Sequence, residues 1–199
     1  MHRILGRLTS VAAFFFLATA VCAQGILVPR GSVWKYLDNG SDQGTAWQGT
    51  NFNDSGWASG PARLGYGGDG EVTAVNYGPD INNKYITTYF RKTFAVLNPS
   101  AFTTLNLNLL RDDGAVVYLN GTEIRRDNMP TGTITYTTLA SSTIGGTDEQ
   151  TFFPSTVANL LLNGNNLLAV EVHQAATNSS DISLDLELRG TNLDRKSVV

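Results

Sequence analysis

Residues 182–188 (ISLDLEL) alternate apolar and polar side chains without a break, the pattern of a strand with one face on a core and one in water. Residues 105–109 (LNLNL) repeat it. Further strands are expected at 33–37, 72–77, 85–96, 115–119, 133–139 and 167–174, divided by turn-rich stretches. Asn120-Gly121 lies between 116–119 and 122–124, and a two-residue turn needing positive φ at both positions is well served by that pair, so a hairpin is predicted there. Residues 154–162 offer one short helix, with Ser155 as its cap and Gly164 as its stop, although Val157 and Asn159 are weak helix formers. Eight or more strands without a long helical period imply an all-β fold, a β-sandwich. No internal repeat or linker divides residues 24–190, which are expected to form one domain.

Composition agrees with that reading. The chain has 199 residues, 42% of them hydrophobic, 20 glycines and only 16% charged residues, a balance typical of extracellular all-β modules. Its first residues add a destination. Arg3 and Arg7 with no acid, the apolar run 8–21 and the small-residue frame of Val21-Cys22-Ala23 make a secretory signal peptide of residues 1–23, cut after Ala23. The apolar run falls short of the roughly 20 residues that span a bilayer. A secreted, cell-surface or periplasmic protein with no membrane attachment after cleavage is therefore expected. Cleavage removes the only cysteine and leaves His173 as the only histidine, so disulfides, thiol chemistry and histidine-rich zinc sites are excluded from the mature chain.

Both ends carry unusual sequence. Residues 27–32 (LVPRGS) read as a thrombin cleavage site, and their direct run into the first strand segment favours coincidence; they are expected to lie outside the core. Residues 194–199 (DRKSVV) match the translation of a common sequencing-library adapter, so 191–199 is expected to be a tail and the natural chain to continue past Leu193. Between these ends, residues 24–193 carry 10 basic and 16 acidic side chains, a net charge of −6. Nucleic acid and anionic membranes are poor partners for that surface.

Residues 111–124 (RDDGAVVYLNGTEI) and 164–173 (GNNLLAVEVH) resemble galactose-binding-domain-like jelly rolls. The resemblance is greatest to the sugar-binding domain beside the barrel of family 2 glycoside hydrolases and to modules of large secreted bacterial proteins, some beside metallophosphatase-like domains. Residues 34–40, 57–67 and 89–94 extend it over most of the chain. It implies a jelly-roll β-sandwich acting as a non-catalytic carbohydrate-binding or accessory module, with carbohydrate or an adjacent catalytic domain as partner. The alternative is a truncated secreted hydrolase, glycosidase or metallophosphatase-like, whose catalytic domain lies beyond this segment.

Several side chains are candidates for contact with a ligand. Asp112 and Asp113 open a strand and can present oxygen ligands to calcium, as in the Asp-Asp-Gly segment of the PA14 module, or simply form a turn. Glu171 and His173 share one strand face, opposite Leu168, Val170 and Val172, and with Arg91 can hydrogen-bond a sugar or line a polar outer face. Trp47, Trp57 and Tyr66 can stack on a sugar or plug an end of the sandwich, while Trp34 belongs to the core. In jelly rolls of this kind a structural calcium is often held by an early loop and an acid on the last strand, which here implies Asp38, Asp42 and Glu187.

Overall fold

A computed structural model describes residues 22–193; the expected leader as far as Val21 and residues 194–199 of the expected tail 191–199 lie outside the described residues, whereas 191–193 are not a tail but the end of the last strand, paired in its sheet. Twelve strands form two six-stranded sheets in a jelly-roll β-sandwich. One sheet contains β1 (Cys22–Val28), β4 (Leu64–Tyr66), β5 (Thr73–Ala74), β7 (Phe102–Asp112), β10 (Phe153–Val157) and β12 (Ile182–Leu193), in the order β10-β7-β12-β4-β5 with β1 also on β12. The other runs β3 (Ala58–Pro61), β2 (Val33–Leu37), β6 (Thr87–Val96), β11 (Gly164–His173), β8 (Gly114–Leu119), β9 (Thr122–Asp127). All pairings are antiparallel except β4 with β5. None of the described residues forms a helix long and apolar enough to cross a membrane.

The period of two in the sequence becomes the core. Leu105, Leu107 and Leu109 of β7 and Leu184, Leu186 and Leu188 of β12 face Phe90, Val117, Leu119, Leu168, Val170 and Val172 of the second sheet, with Trp34 fully buried among them. Asn120 and Gly121 both have positive φ, 54° and 87°, and close the β8–β9 hairpin. Gly65 marks the closest approach of two strands, because a Cβ there would overlap the Ile182 carbonyl oxygen of β12. Backbone cannot yield as a side chain does, so Gly65→Ala is expected to destabilise the domain by about 2–3 kcal/mol, read as a lower urea midpoint at unchanged slope.

Several expectations change. The segment 154–162 predicted to be helical holds no helix, and its residues 154–157 lie in edge strand β10, paired from Phe153↔Leu109 to Val157↔Leu105. At an edge Pro154 has no essential ladder donor to lose, and the pairing with β7 outweighs local propensity. Residues 133–139 are loop, not strand; their carbonyls accept from side chains, Tyr136 from Thr87 at 2.8 Å and Thr138 from the His173 ring at 2.7 Å. The expected strand 72–77 shrinks to Thr73–Ala74. The segment 27–32 is not outside the core, since Val28 is buried in it and Gly31 donates its N–H to both Asp185 oxygens at 3.2 Å.

The outward faces are not wet. Ser183, Asp185 and Glu187 of β12 are buried, as are Glu171 and His173 of β11. Asp185 meets the Gly31 N–H of a covering loop, whereas Asn106 and Asn108 of β7 are half-buried and bond to Thr191 and Glu187 of β12.

Candidate functional site

The outer face of the second sheet carries a layer of its own. Leu167, Ala169, Val116 and Tyr118 point away from the main core and pack against Trp47, Met129 and Ala140 from the covering loops. Trp47 is 0% exposed, meets Tyr89 and Tyr118 edge-on with ring centroids 4.8 Å and 5.8 Å away, and donates its Nε1–H to Gly44 O at 3.1 Å. It has no ring face left for a ligand. Trp57 is half-buried against Phe52 and Tyr89. Tyr66 stands on the other sheet beside Tyr77, with its hydroxyl bonded to Gln174. The aromatic residues therefore do not form one stacking platform.

Arg91 also serves the fold. Its guanidinium donates to Asp54 Oδ2 at 2.8 Å, to Gly49 O at 3.2 Å and to Trp47 O, binding the loop between β2 and β3 to the sheet. Lys35 Nζ reaches the other Asp54 oxygen at 3.0 Å. Burial pushes the Asp54 carboxyl up, but hydrogen bonds and charge from Arg91 and Lys35 outweigh it and hold the group below its ordinary value. The clamp's contribution is accordingly full above about pH 4 and is lost as pH falls through the lowered folded value. Asp54→Asn is expected to remove that part of the acid slope, measured as melting temperature between about pH 5 and 2.

Glu171 and His173 lie where this layer opens. Glu171 Oε1 accepts from Tyr118 OH at 2.7 Å and Oε2 lies 3.2 Å from His173 Nε2. His173 is 0% exposed, and its Nδ1 lies 2.7 Å from Thr138 O and 3.0 Å from Thr87 Oγ1. Since a carbonyl only accepts, the Nδ1 proton faces Thr138. Burial, then the Glu171 charge, raises the Tyr89 and Tyr118 phenols, keeping both as donors. Above Glu171 is a pocket of about 240 Å³ lined by Asp42, Gln48, Tyr89, Thr135 and Tyr136. Tyr136, 38% exposed, also borders a second pocket of about 300 Å³ that reaches Asp80 and Lys84.

Among the expected site residues, Asp42 and Glu171 meet in this pocket. Gln48, Tyr89, Thr135 and Tyr136 were not anticipated; the last two belong to the segment whose pattern resembled a strand. Asp38, Asp42 and Glu187 do not form one ion site. Glu187 lies on the outer face of the β12 sheet, bonded to Arg189 at 2.8 Å and Asn108 at 2.8 Å, whereas Asp42 lies over the opposite sheet. Asp38 accepts from Asn76 N at 2.6 Å, a bond to a loop 38 residues away, and Asp42 from Gly44 N at 2.8 Å, the local bond of a turn.

Asp112 and Asp113 lie against one another but differ in their hydrogen-bond donors. Asp113 accepts from Ile144 N at 2.8 Å and Ala175 N at 2.7 Å, which anchors two loops. Asp112 is 0% exposed, and neither carboxylate oxygen has a hydrogen-bond donor. Burial first, then Asp113 and Asp181, push it up to about 9. Asp181 belongs to a further carboxylate group: one oxygen each of Asp69, Glu149 and Asp181 lie within 4.8 Å of one another.

No family model and no curated protein matches the sequence. Solved structures do share the fold. Bacteroides uniformis β-glucuronidase 2, bound covalently to cyclophellitol-6-carboxylate aziridine, is 16% identical with a TM-score of 0.53 over 85% of this chain and 18% of its own. A β-glucuronidase of an uncultured Clostridium sp. is 17% identical with a TM-score of 0.51 over 90% of this chain and 31% of its own. A β-glucuronidase of glycoside hydrolase family 2 is 15% identical, with a TM-score of 0.51 over 88% of this chain and 18% of its own. The chain thus spans less than a third of these enzymes and has the fold of one portion of them.

Proposed function

We propose that residues 24–190 act as a secreted, non-catalytic carbohydrate-binding or accessory module of a longer extracellular protein, exported by the signal peptide 1–23. The observation that carries this reading is the pocket above Glu171. It joins an oriented carboxylate, amide and hydroxyl groups and an exposed tyrosine ring at one concavity, the combination that recognises sugar hydroxyls and a C–H face. The fold's place as a minor portion of β-glucuronidase chains supports a catalytic neighbour. That neighbour would supply any turnover, which makes the truncated hydrolase the same molecule seen from its missing part.

The pocket also selects among sugars. Asp42 and Glu171 make its polar wall acidic, and the segment's net charge of −6 adds to the repulsion of anions. Neutral hexose units are therefore the ligands, and uronates are disfavoured. Retardation gels containing neutral or uronate polysaccharides test this. The expected result is retardation by a neutral glycan that Tyr136→Ala and Glu171→Gln abolish without unfolding the protein. Equal retardation of the variants would remove the pocket from the reading.

A further inference from the structure

The carboxylates of the β12 sheet edge lead beyond sugar recognition. Asp112 lies at the end of β7, Asp181 immediately before β12, Asp69 in the β4–β5 loop and Glu149 in the short 3₁₀ turn Gly146–Gln150. Asp112, fully buried, faces the carboxylates of both Asp113 and Asp181 with no donor to either of its oxygens. Asp181 in turn shares a space 4.8 Å across with Asp69 and Glu149. The surrounding donors do not compensate this charge: Gln150 reaches Asp69 at 3.3 Å and Ser180 reaches Asp181 at 3.0 Å. Arg63 donates to the Asp69 main-chain carbonyl and Lys84 to the Ser179 carbonyl, so neither cation bonds a carboxylate here. Glu71, beside Asp69, has a further buried oxygen without a partner. A buried carboxylate without a donor is costly, and one facing others needs a proton or a metal ion between them.

We propose that Asp112, Asp181, Asp69 and Glu149 are the ligands of a calcium ion that fastens the β4–β5 loop and the Gly146–Gln150 turn to the ends of β7 and β12. The donors are all hard oxygens, with no nitrogen or sulfur for zinc. They come from loops of irregular geometry, which calcium accommodates with six to eight oxygens and magnesium, with its strict octahedron, does not. Asp113 is outside the set because both its oxygens already hold backbone N–H groups.

Terbium stands in for calcium in the test, since Tyr66 lies close enough to feel the charges of Asp181 and Asp112 and can sensitise its emission. The expected result is saturable one-to-one terbium emission that calcium displaces, and a melting temperature that rises with calcium concentration. Asp69→Asn and Glu149→Gln, at half-buried loop positions that the core does not need, should each weaken binding at least about tenfold. Asp112→Asn should melt above the unaltered protein in chelator and gain nothing from calcium. Asp38→Ala and Asp42→Ala should bind as the unaltered protein does. Emission that calcium does not displace, equal melting in calcium and chelator, or loss of binding in the Asp38 and Asp42 variants instead would overturn the assignment. Glycan retardation is a separate readout, so either conclusion can fail alone.

Discussion

Trp47→Ala is expected to lower the unfolding free energy by about 3–5 kcal/mol and to abolish glycan retention with it. The indole is fully buried although it belongs to a polar, glycine-rich loop, because the outer sheet face beneath it is apolar: Tyr89, Tyr118, Val116, Leu167 and Ala169 would otherwise meet water. Its removal exposes that face and frees Gly44, Thr45 and Gln48, three residues of the pocket wall. Trp47→Phe restores the edge-on contacts but not the bond to Gly44 O, and should recover most of the stability. Urea unfolding of both variants, with retention measured below the transition, checks the pairing of the two losses.

Arg91→Met should cost about 2–4 kcal/mol for a different reason. Methionine fills much of the aliphatic volume, so the loss is polar. Trp47 O loses its Arg91 donor, Gly49 O keeps only the Phe52 N–H at 3.4 Å, and Asp54 retains only Lys35. Most of the acid slope assigned to Asp54 should disappear in the same variant, which separates this loss from simple repacking. Urea midpoints at pH 7 and pH 3 would approach one another in Arg91→Met, whereas in the unaltered protein they should differ. A stability unchanged at pH 7 would mean that the loop between β2 and β3 is held without the clamp.

The core was legible because its signal is local. The alternation at 105–109 and 182–188 specifies which side chains face inward, and Asn120-Gly121 specifies a turn, whatever surrounds them. The outward half of the same pattern was misleading. Polar residues at Ser183, Asp185 and Glu187 read as solvent-facing, yet all three are buried, Asp185 against the Gly31 N–H of a loop and Glu187 against Asn108 and Arg189 of its own sheet. Residues 133–139 mislead likewise, since their β-like composition serves hydrogen bonds to Thr87 and His173 and not to a ladder. The tendency to helix at 154–162 yields to pairing with β7, a contact about 50 residues away that no short window contains.

Site residues follow the same division. Asp112-Asp113 stands out as a pair, but its division of labour depends on loops distant in sequence. Asp113 meets loop N–H groups, while Asp112 meets Asp181. Asp69, Glu149 and Asp181 form no motif, since only the fold brings the β4–β5 loop, the 3₁₀ turn and the start of β12 together. Tyr136 has no sequence signal beyond being aromatic.

Under the proposed function, residues 24–190 hold a neutral sugar without transforming it. The direct measurement is titration calorimetry of residues 24–193 with the glycan that its retardation selects, the same samples being analysed for released sugar. The expected result is saturable heat with one site per chain, lost in Glu171→Gln, weaker for the matching uronate, and glycan recovered intact. Saturable binding that survives Glu171→Gln and Tyr136→Ala, no binding to any neutral glycan, or hydrolysis by the domain alone would contradict it.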